Sequence, residues 1–432
     1  MAYDSASLAL FHLPAALLQP AVLCVSLLAV QPGAAQEVQD QGYRAYLTEL
    51  SDFGKLAAPE VELVGWSADG PLISRTGSSS AGAANVSATW MRLDFPVAKA
   101  PNSRSTATPA SAEAGSANAW QLELTDGSIL VGRPVGGNAD QLEWAIGEGA
   151  DLQLIPVDLL WVSRLSRRQL PPTTNKDNDV LVLATSQGGL DRRRGWLEEI
   201  NAEGLSFLEG DVVVEHPWSR IQAVQLLEEE GDEEDLAGAW LHWRNGSVWA
   251  VQPVRLTANA LVVRTPWQSR ITVPMSEVAA LDRRLGPFQD LADGDPNAVT
   301  SPPSMVLDWT PKNGRSLEGR RMQLSNSQPV VGWGVKAPTR MEWNKQGPGV
   351  FTCWVGVDLE VLSHRQRAPL EFRVLLDGVV LATSGPVEVG QAPQPLRAEI
   401  PQAGRLELDV RSLGNNKSGG GHGNWVLPRV WR

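Results

Sequence analysis

The segment Asn415 to Trp425 (NNKSGGGHGNW) places amide, cationic and imidazole groups beside one indole. Asn415, Asn416, His422 and Asn424 offer planar donors and acceptors, Lys417 adds a cation, and Trp425 adds a flat apolar ring. The consecutive glycines Gly419 to Gly421 let backbone approach a ligand closely. This combination suits a polyhydroxylated ring, whose hydroxyls need directional partners while its C–H face stacks on an indole. The bland alternative applies to Trp425, because a tryptophan near the start of a strand commonly closes a core.

Other chemistry is sparse. None of the five histidines (His12, His216, His242, His364, His422) lies in an H-E-x-x-H motif. There is no C-x-x-C pair, G-x-S-x-G elbow, phosphate-cradling loop or dinucleotide glycine fingerprint. His216 and His242 fall in strand-like runs, where a hydrogen-bonded structural imidazole is the expected role. The acidic run Glu228 to Asp235 (EEEGDEED) lacks the alternating ligand spacing of a cation loop and reads as a solvated break. Asp293, Asp295 and Asn297 have D-x-D-x-N spacing, but Ala298 stands where a calcium loop turns on glycine, and Ser304 where it needs an acid. No catalytic residue, metal site or cofactor is therefore expected, and the chain reads as non-enzymatic.

With 49 acidic against 37 basic side chains the formal charge is −12, which disfavours a nucleic-acid partner. The short arginine groups (Arg164, Arg167 and Arg168; Arg192 to Arg194; Arg283 and Arg284) read as solvated strand edges. No charged residue lies between Asp4 and Glu37, and Ala21 to Val30 (AVLCVSLLAV) has the apolarity of a signal-peptide core, followed by small residues at Gly33 to Ala35. Residues 1–35 are expected to be a cleaved signal, giving a secreted, periplasmic or cell-envelope protein with no membrane span in the mature chain. Pro14 and Pro20 oppose a retained spanning helix. Cleavage removes Cys24 and leaves Cys353, in an apolar run, as a buried structural thiol.

The remaining chain must build what positions these groups, and its pattern is all-β. Three units of about sixty residues recur, each with a hairpin turn followed by a strand ending in proline. Turn glycine to proline runs 127 to 156, 188 to 217 and 246 to 274, and Leu160, Ile221 and Val278 follow the prolines four positions later. Asp126-Gly127 and Asn245-Gly246 supply tight-turn chemistry. The expected order is an N-terminal segment over 36–97, a cap or degenerate repeat with a short helix around Tyr43 to Leu56, and then a linker over 98–118. Repeats follow over 119–168, 180–227 and 239–285, then a linker over 286–303 and a final domain over 304–432. The repeats are small antiparallel modules, of SH3 or Sm-like type if they close, and should pack on one another.

The final domain reads as a succession of strands with an Asp377-Gly378 hairpin turn, the pattern of a two-sheet sandwich. The runs VGWGVKAPTRMEW (Val331 to Trp343), FTCWVGVDLEV, LEFRVLLDGVVLATSGPV, and RLELDVRSL followed by HGNWVLPRVW resemble, in order, the novel putative carbohydrate-binding module family (NPCBM). That resemblance implies a galactose-binding-domain-like jelly roll and a glycan or cell-envelope polysaccharide as partner. The chain departs from the family where Lys336 replaces a common His and Gly421 a frequent acidic residue. The sequence thus predicts an array of three small antiparallel β-modules followed by a C-terminal jelly-roll β-sandwich, with carbohydrate binding through Asn415, Asn416, His422, Asn424 and Trp425. The alternative is an envelope scaffold that binds other proteins through repeats and sandwich without sugar affinity.

Overall fold

Three hairpin turns set the repeats. Gly127, Gly188 and Gly246 have φ of +82°, +78° and +90°, values that favour a residue without Cβ. Beside them Asp126 Oδ1 accepts from the Ser128 amide (2.8 Å), Thr185 Oγ1 from Gly189 (2.9 Å) and Asn245 Oδ1 from Ser247 (2.9 Å). The turn residues thus replace backbone partners that the bend removes.

The protein is described by a computed structural model. It describes residues 43–49, 60–67, 70–75, 84–85 and 90–95, then 120–147, 152–167, 177–227, 238–301 and 309–432, apart from 258, 326–328, 330, 346, 365–366 and 415–420. The expected signal at 1–35, the linker at 98–118 and the acidic run at 228–235 lie outside the described residues. No helix among the described residues is long and apolar enough to cross a membrane.

Four modules of five strands share one topology. The first contains β1 (Tyr43–Glu49), β2 (Glu60–Ser67), β3 (Gly70–Arg75), β4 (Ala84–Asn85) and β5 (Trp90–Asp94). The second has β6 (Trp120–Leu124), β7 (Ile129–Gly137), β8 (Gln141–Ile146), β9 (Gln153–Asp158) and β10 (Val162–Ser166). The third has β11 (Asp179–Ala184), β12 (Leu190–Ile200), β13 (Gly204–Glu209), β14 (Val212–Pro217) and β15 (Ile221–Gln225). The fourth has β16 (Ala239–Trp243), β17 (Val248–Leu256), β18 (Ala260–Thr265), β19 (Gln268–Pro274) and β20 (Val278–Arg283). In each, four strands meander and the fifth returns antiparallel to the first. The second strand carries a bulge in every copy, at Leu63/Gly65, Pro134/Gly136, Leu197/Glu199 and Pro253/Arg255, which bends it so that one small sheet curls around its own core.

The N-terminal segment is therefore a further copy of the repeat. The helix expected around Tyr43 to Leu56 is replaced by β1, because that stretch bonds to β2 on one side and β5 on the other, and sheet pairing outweighs local propensity. The proline register also needs correction. Pro217 and Pro274 end their strands opposite Gly204 and Ala260, whereas in the first repeat that place belongs to Asp158 opposite Gln141, with Pro156 two residues earlier. The difference arises between β8 and β9, where Ile146 pairs with Gln153, against Glu209 with Val212 and Thr265 with Gln268 in the other two repeats. Leu160 is consequently exposed, and Val162 is the buried counterpart of Ile221 and Val278.

The modules do not associate in chain order. β10 pairs with β15 and β5 with β20, so fifth strands join the first repeat to the second and the N-terminal module to the third. The first and third repeats meet at Ile129 and Val248 and exchange turn serines: Ser128 Oγ accepts from the Ala250 amide (2.8 Å), and Ser247 Oγ from Val131 (2.7 Å). One continuous core runs through them, from Leu93 through Trp144 and Phe207 to Trp249.

The last strands form a sandwich. One sheet runs β23 (Lys312–Asn313), β24 (Gly332–Lys336), β31 (His422–Trp431), β26 (Gly349–Val357), β29 (Gln394–Ile400), with β21 (Phe288–Asp290) also on β31. The other runs β22 (Ala298–Thr300), β25 (Thr339–Lys345), β30 (Gly404–Ser412), β27 (Leu370–Leu376), β28 (Val379–Val387). Asp377 and Gly378 turn the β27–β28 hairpin with φ of 49° and 81°. The segment expected as a linker over 286–303 instead contributes β21 and β22, because both sheets have backbone edges to satisfy. A buried pair, Arg429 Nε to Asp290 Oδ2 (3.1 Å), fastens β21. Cys353 is buried in the core between the sheets, and burial pushes its thiol pKa up.

The sandwich docks on the modules. Met91, Phe288, Val350, Trp354 and Trp431 form one apolar contact, and Trp240, Val248, Ala250 and Val331 another. Between them Glu123 pairs with Arg315 and faces Arg164. Arg164 is thus a buried interface group rather than a solvated edge.

Within the array Asp282 binds Arg92 Nη1 (2.9 Å) and His242 Nε2 (2.6 Å). Burial alone would raise its pKa, but Arg92 and His242 outweigh burial and hold it well below the usual carboxylate range. A depressed acid stabilises the fold above its unfolded pKa and loses that contribution as pH falls through the folded value. Urea midpoints are expected to fall below about pH 4, and Asp282→Asn should both lower stability at pH 7 and flatten the acid limb.

Candidate binding site at the loop end of the sandwich

The site is built on Asp358, the residue that follows β26. Its carboxylate caps the 3-10 turn Leu359–Ser363, with Oδ1 accepting from the Glu360 amide (2.9 Å). Oδ2 accepts from the Gln323 amide (3.0 Å) and from Asn424 Nδ2 (2.6 Å). One side chain therefore holds the 3-10 turn, the loop before β24 and the start of β31 together.

The turn presents two further groups. Glu360 points inward, with Oε1 2.7 Å from His422 Nδ1 and Oε2 2.5 Å from Ser316 Oγ. His364 closes the turn, its Nε2 3.1 Å from Glu318 Oε1, and its ring stands edge-on to His422 at 4.9 Å between centroids. Glu318 and His364 are partly exposed, whereas Glu360 and His422 are buried. Lys336, at the end of β24 and opposite His422 in register, places Nζ 5.2 Å from the centre of the half-buried Trp309 ring.

The electrostatics follow from burial. Burial pushes the Asp358 carboxyl up to about 6, helped by the neighbouring Glu360 charge and opposed by its three hydrogen-bond donors. Burial would also raise Glu360, but His422 and Ser316 hold its charged form and keep it below the usual range. Lys336 is lowered, chiefly by burial, with Glu360 acting against the shift. The result is a polar, charged loop end under a covered floor, with Trp309, Glu318 and His364 reaching the surface.

The sequence-expected residues divide. His422 and Asn424 belong to this cluster as buried members that orient the rest; Asn424 Oδ1 has no hydrogen-bond partner. Trp425 is fully buried and packs edge-on against Phe372 at 5.1 Å, so it closes the core and offers no stacking face. Asn415 and Asn416, with Lys417, lie outside the described residues. Trp333, Trp343 and Trp431 are buried as well. Sequence reasoning did not single out Glu318, Asp358, Glu360, His364 or Trp309 for this site. The Val-Gly-Val-Asp run that leaves β26 contains Asp358, but nothing local joined it to residues about forty positions upstream and sixty downstream.

Asn297 Oδ1 accepts from the Asn344 amide (2.8 Å) and Asp290 Oδ1 from Ala292 (3.0 Å), so these residues near the D-x-D-x-N run staple the sandwich edge. Among the described residues, the grouping with metal-ligand chemistry is Glu318, His364 and His422.

Residues 300–430 match the family model of the NPCBM/NEW2 domain. The C-terminal sandwich is an NPCBM/NEW2 domain. The CBM51 of Clostridium perfringens GH95, solved with methyl-galactose, is 18% identical over 33% of this chain and 99% of its own, with a TM-score of 0.29. CBM51-2 with the INT domains of C. perfringens ZmpB, solved with GlcNAc, is 16% identical over 47% of this chain and 45% of its own, TM-score 0.30. This chain thus spans less than half of that ZmpB structure. The tandem CBM51 modules of the family 98 glycoside hydrolase from Streptococcus pneumoniae SP3-BS71 are 12% identical over 58% of this chain and 88% of theirs, TM-score 0.30. A comparison with curated proteins found no match.

The raised Asp358 has a thermodynamic consequence. An acid whose folded pKa is raised destabilises the fold once it must ionise, so this group favours the fold below the unfolded value and loses that advantage as pH rises toward about 6. A carboxyl carbon resonance from Asp358, followed by NMR, is expected to titrate with a midpoint near 6, and the side-chain amide of Asn424 should move with it.

Proposed function

We propose that this protein is a non-catalytic carbohydrate-binding protein that takes a glycan at the loop end of its NPCBM/NEW2 domain. The observation that carries the reading is the convergence of hydrogen-bonding side chains at that end. Buried Asp358, Glu360, His422 and Asn424 brace the surface groups Glu318 and His364, and Lys336, opposite His422 in register, lies over the Trp309 ring. Pre-oriented partners of this kind suit sugar hydroxyls, and a half-exposed indole suits the C–H face of a pyranose. Asn415 and Asn416, which precede β31 in the sequence, belong to the same proposal. The opposite choice, the flat face of the β25–β30–β27 sheet, is occupied by internal pairing: Arg340, Arg373 and Arg411 all engage Asp409.

Export belongs to the same proposal. A secreted or envelope location brings the domain to extracellular or cell-wall polysaccharide, and the uncharged apolar segment Ala21 to Val30 supports it. Intact mass of protein from its native host is expected to show loss of roughly the first 35 residues; a mature chain beginning at Met1 would remove the export reading.

A second reading, a scaffold that binds proteins, is favoured by one surface. On the second repeat Trp196, Leu208 and Val213 lie in register across three strands, with Trp196 43% and Val213 54% exposed. A glycan array with the full chain separates the two. Binding is expected, and Trp309→Ala should weaken it by about tenfold or more, whereas Arg397→Ala, on a surface strand elsewhere, should leave it unchanged. Absence of binding to any glycan, combined with loss of a protein partner on Trp196→Glu, would transfer the function to the repeats.

A further inference from the structure

We infer that Glu318, His364 and His422 form a binding site for a divalent transition-metal ion of the zinc class. Each residue offers one ligand atom, and these three atoms lie within 4.8 Å of one another. His364 Nε2 and Glu318 Oε1 are already 3.1 Å apart. Two donors sharing one zinc at about 2.0 to 2.1 Å stand roughly 3.3 Å apart in a tetrahedral site, so a closing motion of the partly exposed Glu318 and His364 toward His422 completes the set.

The surroundings match the chemistry. His422 turns Nδ1 to Glu360 at 2.7 Å, which leaves Nε2 to coordinate. A carboxylate on the far nitrogen of a ligating imidazole fixes its tautomer and raises its basicity. Glu360 is itself fixed by Ser316 at 2.5 Å, so the imidazole is held by a chain of two hydrogen bonds. On the other side, Arg320 Nη2 approaches Glu318 Oε2 at 3.4 Å and leaves Oε1 for the metal. Two imidazoles and one carboxylate form a nitrogen-rich set, which favours zinc, cobalt or nickel over calcium and magnesium. Three protein donors leave a fourth position open.

The ligands come from three segments: the loop between β23 and β24, the end of the 3-10 turn, and the first residue of β31. A bound ion would tie them together. The assignment stands on donor geometry and does not rest on sugar binding, so either can fail without the other.

The test uses the full chain, stripped with a chelator and titrated with zinc by isothermal calorimetry, with cobalt as a spectroscopic probe. One high-affinity equivalent is expected, a rise in thermal midpoint with zinc, and visible cobalt bands of low-symmetry coordination. His364→Ala and Glu318→Gln alter partly exposed side chains, so their metal-free melting should stay near that of the parent while zinc affinity falls by at least about 100-fold. Glu360→Gln should reduce it by roughly 10- to 100-fold, as loss of an outer-sphere partner does. The proposal is overturned if the stripped chain binds no zinc, or if His364→Ala and Glu318→Gln bind it as tightly as the parent.

Discussion

Backbone edges govern this architecture. A sheet of five short strands cannot satisfy the outer N–H and C=O groups of its last strand by itself, and a module of about sixty residues buries too little core to be stable alone. Both deficits are met by one contact. β10 bonds to β6 within its module and to β15 outside it, and β5 likewise lies between β1 and β20. Each shared strand removes two edges and joins two small cores into the continuous apolar cluster that runs through the array. The same requirement recruits β21 and β22 into the sandwich, and with them the segment that couples sandwich to array.

That coupling places the polar interface under strong electrostatic demand. Glu123 is buried among Arg164, Arg315 and Arg321, and its pKa is lowered because these cations outweigh the effect of burial. Arg321 donates to the Gly246 carbonyl at 3.1 Å and is lowered to about 10 by burial. Breaking such a pair by removing one partner leaves a buried charge uncompensated, which makes the junction intolerant of single substitutions.

From the same 315–323 segment that supplies Arg315 and Arg321 to the junction, Ser316 and Gln323 reach a site where a similar economy operates with one carboxylate. Asp358 holds three segments through three donors, and Glu360 continues the chain through Ser316 and His422. Buried groups fix geometry there, while the partly exposed Glu318, His364 and Trp309 face solvent. Fixed donors lose little conformational freedom on binding, which is why such an end is a better recognition surface than the ion-paired sheet face.

The sequence by itself determined what short-range physics controls. Asp-Gly and Asn-Gly turns, alternating apolar residues and the ordered motifs of the last domain fixed an all-β chain with repeated modules and a sandwich, because turn chemistry and strand period act over a few residues. His216 and His242 were legible as structural imidazoles, and they bond to Glu209 and Asp282. Tertiary structure alone decided the rest. It turned the Tyr43 region into a strand through partners far along the chain, offset Pro156 by two residues through a longer connection between β8 and β9, and ordered the modules out of sequence. It also sent Trp425 inward against Phe372 while gathering Glu318, Asp358, Glu360 and His364 around His422. Those residues are separated by up to about a hundred positions, and their meeting depends on which strands share a sheet, a choice made by edge pairing and burial that no local pattern encodes.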